Sequence, residues 1–222
     1  MRIINDQEIR TTARDCSTNT SSKVFTSMIG MGYYGTKTPS VVLRNVLEHA
    51  GWYTAYTPYQ PEVSQGTLQA HYEFQSMVCQ LTGMDVANAG MYDGSTSLAE
   101  AALMAARTTK RSRIAVLDTV SPTLRRVIET YTQAPGLDIY SVAPDRLDLS
   151  DDTACLIVQQ PGFLGQMEDV EALSKQAHAS GTLLVVSADP MSLGMFKPPA
   201  EYDADIVVGE GQTLGIPPTY GG

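Results

Sequence analysis

Between residues 113 and 209, short β-branched runs alternate with amphipathic stretches of helical length, an order that few architectures accommodate. RIAVLDT is followed by SPTLRRVIETYTQA, then LDIYSVA, ACLIVQQP, VEALSKQAHASG, TLLVVSAD and ADIVVGEGQ. Strands separated by helices of roughly 10–15 residues predict a mainly parallel sheet covered on both faces by crossover helices, an α/β three-layer sandwich. Ser121 is placed to cap the helix that opens at Pro122, and Gly181 to stop the helix before TLLVVSAD.

Upstream, STSLAEAALMAARTT reads as a further helix, and TLQAHYEFQSMVCQLTG spaces Leu68, Tyr72, Met77 and Leu81 near a period of 3.6 before Gly83. SVVLRNVLEHA carries Val42, Val46 and Ala50 at helical spacing and predicts a short helix ending at Gly51. Between these two lies WYTAYTPYQPEVSQG, residues 52 to 66, with three tyrosines and a tryptophan among two prolines. Pro58 and Pro61 lack backbone donors and push Thr57 and Gln60 to extended geometry, so a loop is expected. A loop rich in hydrogen-bonding rings is suited to touching a partner or ligand. Residues 1–27 are polar and weakly patterned and read as a loosely attached arm.

The charge balance excludes some functions. A formal net charge of −9 over 222 residues leaves no clustered Lys and Arg to neutralise phosphates, so nucleic acid is not an expected partner. Three distant cysteines, Cys16, Cys79 and Cys155, give neither a disulfide framework nor a zinc pattern, and suggest reduced thiols in a cytosol-like compartment. MRIINDQEIR has no apolar signal-peptide core, and no later run is long enough to span a membrane. A soluble cytoplasmic protein is expected.

Three turns are candidates for chemistry. In YDGSTSLAEAA, Gly94, Ser95, Thr96 and Ser97 open a helix whose free N–H groups and hydroxyls form a cradle for phosphate or carboxylate; simple capping by Asp93 or Ser95 explains the same residues. In VVSADPMSLG, Asp189 ends a strand where parallel sheets present ligands, and its carboxylate suits a cationic ring nitrogen; a turn before Pro190 is the alternative. ADIVVGEGQTLG ends a strand in a glycine-rich turn that brings backbone close to whatever lies above the sheet, or is only a tight turn.

GMGYYGTKTPSVVLRNVLE, WYTAYTPYQPEVSQG, LTGMDVANAGMYDGSTSLAEAALMA and ADIVVGEGQTLGIPPTYGG together resemble the P-protein of the glycine cleavage system, in particular the first subunit of its two-subunit bacterial form. The similarity runs from about Met28 to Gly222, and the YTAYTPYQPE and GEGQxLGIP runs are its most specific parts. The resemblance implies a partial large domain of the fold-type-I pyridoxal-phosphate enzymes over residues 28–222. It also implies a glycine dehydrogenase (decarboxylating) that passes an aminomethyl group to the lipoyl arm of H-protein. Such chemistry needs a lysine to anchor the cofactor aldehyde. The family's active chains commonly carry that lysine after the last strand, where this sequence has Gln212. Lys197, in a proline-bounded loop, is read as a surface residue.

The chain is therefore expected to bind no pyridoxal phosphate covalently, Ser95, Thr96, Asp189 and Gln212 being relics of a cofactor site. Tyr56, Tyr59 and Glu62 would complete the site of a cofactor-bearing partner subunit, unless these tyrosines serve only interface packing. The family continues beyond Tyr220-Gly221-Gly222, so a C-terminally truncated subunit is expected. Two rivals stand beside it: a catalytically inert binding or regulatory module, and a self-sufficient pyridoxal-phosphate enzyme, which Gln212 disfavours.

Overall fold

The computed structural model describes residues 36–216, and the arm read over residues 1–27 lies outside them. The described residues divide into two compact units, 36–68 with 211–216, and Gln69–Glu210.

In the first unit, helix α1 (Ser40–Glu48) starts behind Pro39 and stops where His49 turns extended (φ −104, ψ 99). A single turn, α2 (Ala50–Tyr53), follows. The one helix predicted through Gly51 is thus two pieces, and Trp52 and Tyr53 belong to the second rather than to the loop. The loop proper is shorter than residues 52–66 at its far end too, because helix α3 (Gln65–Thr82) begins inside it. Val42, Val46, Trp52 and Tyr53 are exposed. The chain returns to this unit at residues 211–216, where the Thr36 hydroxyl donates to the Ile216 carbonyl at 3.0 Å.

The second unit holds the sheet. After α3 come α4 (Gly94–Thr109), β1 (Arg113–Leu117), α5 (Pro122–Gln133), β2 (Asp138–Val142), β3 (Thr153–Gln160), α6 (Val170–Ala179), β4 (Leu183–Ala188) and β5 (Ile206–Gly209). The strands lie in the order β2-β1-β3-β4-β5 and every pairing is parallel. Consecutive residues of β1, β3 and β4 are buried alike: Ile114 to Leu117, Ala154 to Val158, and Leu184 to Val186. Burial without alternation means that both faces of the sheet are covered, as the sequence pattern predicts. α4 supplies one cover. It packs across β1, β3, β4 and β5 and beside α5, using a face of small residues, Ala99, Ala102 and Ala105 among them, that lets it approach the sheet closely. α6 packs on β4 and ends in Gly181 at φ +67, the stop the sequence predicts.

Because all five strands run the same way, their C-terminal ends share one edge of the sheet. Asp118, Pro161, Asp189 and Glu210 follow β1, β3, β4 and β5 at that edge. Open parallel sheets bind their ligands there.

Candidate functional site

At the sheet edge, α4 begins with four backbone amides that have no partner within the helix. Asp93, its N-cap, accepts from the Thr96 amide at 2.8 Å and from the Ser95 hydroxyl at 2.5 Å. Its backbone carbonyl accepts from the Ser97 amide and hydroxyl at 3.0 and 2.7 Å. The Ser95 hydroxyl, the Thr96 amide and the other bonds of this turn hold the Asp93 carboxyl below the ordinary aspartate range. Capping by Asp93 is the reading realised, and Ser95 is a donor to the cap rather than the cap itself. A second leading amide, that of Gly94, donates at 2.8 Å to the carboxylate of Glu210, 116 residues away.

Glu210 is the residue that sequence reading passed over. It lies between Gly209 and Gly211, and attention falls on the missing lysine two residues on. The available signal was a carboxylate flanked by glycines at a strand end, opposite a Gly-Ser-Thr helix start.

Asp189 is at the same edge, and its carboxylate accepts from the Met191 amide at 3.0 Å, while its carbonyl accepts from the Ser192 hydroxyl at 2.6 Å. This is the turn at Pro190 that the sequence offers as the alternative. Ser121 does not cap α5 with its side chain; instead its amide donates to the Gln159 side-chain carbonyl at 2.8 Å. Lys197 is exposed and bonded to Glu171 at 2.5 Å, and that carboxylate holds its amine above the ordinary lysine range. An ammonium so stabilised is a poor nucleophile.

In the first unit, Gln212 lies in a short 3-10 turn (Gly211–Leu214) and donates its side-chain amide to the Ile216 carbonyl. Tyr56 and Tyr59 stand with ring centroids 6.4 Å apart and planes tilted by 48°, and they are 81% and 77% exposed. Glu62 is exposed beside them in sequence, and its carbonyl anchors the Gln65 side chain at 3.2 Å. The loop therefore presents two phenols and a carboxylate outward.

The family resemblance implies pyridoxal phosphate, and the residues at the sheet edge are a poor fit for it. Two carboxylates occupy the helix end that a phosphate ester would need, and none of the described lysines follows β5. Among the described residues, no group of three or more His, Cys, Asp or Glu could hold a metal ion, and no helix is long and apolar enough to cross a membrane.

Residues 3–222 match the family model of the glycine cleavage system P-protein. A relative from Desulforamulus reducens named "Probable glycine dehydrogenase (decarboxylating) subunit 1" is 50% identical over 203 residues, 87% of this chain and 45% of its own length. One of the same name from Exiguobacterium sibiricum is 45% identical, covering 96% of this chain and 49% of the relative. The chain spans about half the length of the curated relatives it matches. A crystal structure of glycine decarboxylase (P-protein) of the glycine cleavage system, in inhibitor-bound form, superposes with a TM-score of 0.83 at 39% identity, covering all of this chain and 52% of that one. DndA from Streptomyces lividans, at 17% identity and a TM-score of 0.59 over 82% of this chain and 55% of its own, shares the fold.

Proposed function

Since the chain belongs to the glycine cleavage system P-protein family, we propose that it acts as part of the first subunit of a cytoplasmic glycine dehydrogenase (decarboxylating) and completes the active site of a partner chain. The observation that carries the reading is a pairing of features. The loop at Tyr56, Tyr59 and Glu62 points its polar groups outward, while the position after β5 that should anchor a cofactor holds Gln212, tied to its own turn. On this reading pyridoxal phosphate belongs to the partner, and glycine and the lipoyl arm of H-protein meet there.

The chemistry of the loop suits that role. The two phenol hydroxyls donate hydrogen bonds that orient a carboxylate such as that of glycine, and the rings exclude water around it. Glu62 accepts a hydrogen bond or a proton from an ammonium group. A binding or regulatory module is the second reading, favoured by the exposure of Tyr56 and Tyr59, which a docking surface would also show.

The test assembles the chain with a cofactor-bearing partner and measures glycine–bicarbonate exchange. Tyr59→Phe and Glu62→Gln barely change side-chain volume, so assembly should persist while exchange falls roughly 10²-fold, the usual cost of losing one positioned polar group. Full exchange by the double variant in an intact assembly would overturn the assignment, and exchange equal with and without this chain would favour the binding module.

A further inference from the structure

The misfit at the start of α4 has a specific author in Glu210. Two of the leading amides are taken by carboxylates of the chain itself, Gly94 by Glu210 and Thr96 by Asp93, while the Ser97 amide closes the first turn on the Asp93 carbonyl. Asp93 is a local cap of the kind many helices have. Glu210 is not local, and its reach to the helix start depends on how closely the end of β5 approaches α4. A Cβ at Gly209 would stand 2.7 Å from the Ala188 carbonyl oxygen, and one at Gly94 would meet both the Cβ and the carboxylate of Glu210 at 3.4 Å. Gly209 thus lets the end of β5 lie close against β4, and Gly94 leaves the Glu210 carboxylate within reach of the helix start.

We propose that Glu210 is a built-in anion that shuts the N-terminal end of α4 against phosphate monoesters, so that this chain excludes a phosphate-bearing cofactor by charge as well as by lacking an anchoring lysine. The field at a helix start favours one anion, and an internal carboxylate supplies it with no loss of translational freedom. A phosphate arriving there meets two carboxylates already seated at the helix start, one on the Gly94 amide and one on the Thr96 amide, and like charges so close repel. The inference extends the cofactor part of the proposed function but does not depend on the aromatic loop, and its test uses this chain alone.

The experiment titrates inorganic phosphate, at fixed ionic strength, into the ¹⁵N-labelled chain and its E210A and E210Q variants, following the Gly94, Ser95 and Thr96 amide resonances. In the wild-type chain these resonances should stay in place. In E210A they should move with phosphate, with binding at least roughly tenfold tighter than wild type. E210Q keeps the volume and the acceptor oxygen but loses the charge, and should gain affinity by a smaller factor. If E210A fails to fold, E210Q alone decides. Wild-type resonances that respond as strongly as the variants, or variants that gain nothing, would overturn the proposal.

Discussion

Single side chains do the deciding at the edge of the sheet, and Asp93 is the clearest case for measurement. Its carboxylate serves the Thr96 amide and the Ser95 hydroxyl, so Asp93→Ala should cost about 1 kcal/mol of stability, the usual loss on removing an N-cap. Its folded pKa lies below the ordinary value of 3.8. The stabilising contribution is therefore complete above that value and is lost as pH falls below it towards the folded pKa. Urea unfolding of the wild type and Asp93→Ala should accordingly show a gap that persists at neutral pH and narrows in acid below 3.8; a gap of the same size at every pH would contradict the assignment. Glu210 illustrates the opposite limit of legibility. Its residue type and its flanking glycines are plain in the sequence, but its partner, Gly94, is 116 residues away, and no local pattern encodes a contact across that separation.

At the scale of elements, Arg111 holds together three connections at the other edge of the sheet. Its Nη1 donates to the carbonyls of Thr153 and Gly181 at 2.9 Å and of Ser180 at 3.1 Å, joining the start of β1 to the start of β3 and to the turn after α6. Arg111→Met keeps the apolar stem and removes the donors, and a loss of about 2 kcal/mol follows from hydrogen bonds to a charged group. The urea midpoint should drop with an unchanged slope, and a midpoint equal to that of the wild type would contradict the clamp. The strands themselves were legible as β-branched runs, and so was the helical spacing of Leu68, Tyr72 and Met77 in α3. What that spacing could not tell is what covers the helix: Tyr72 and Met77 are exposed, so the period specifies a helix without supplying its partner. The break at His49 and the early start of α3 escaped for a related reason. Prolines forbid helix only near themselves, and Trp52 and Gln65 lie beyond the reach of Pro58 and Pro61.

For the molecule as a whole, family and fold are those of a P-protein domain, and because no described lysine follows β5 we propose that the cofactor belongs to a partner chain. The family is legible because the most specific runs of the sequence, YTAYTPYQPE and GEGQTLGIP, fall largely on connecting segments rather than in the sheet, where packing constrains residues least. The role proposed for the loop is legible only as chemistry, since two exposed phenols and a carboxylate define what they can bind and not which chain brings it. The most direct measurement mixes the chain with a catalytic partner and pyridoxal phosphate, reduces the mixture with borohydride, and weighs each chain intact. The account predicts one cofactor mass added to the partner and none to this chain. A stoichiometric adduct on any lysine of this chain, Lys197 included, would contradict it.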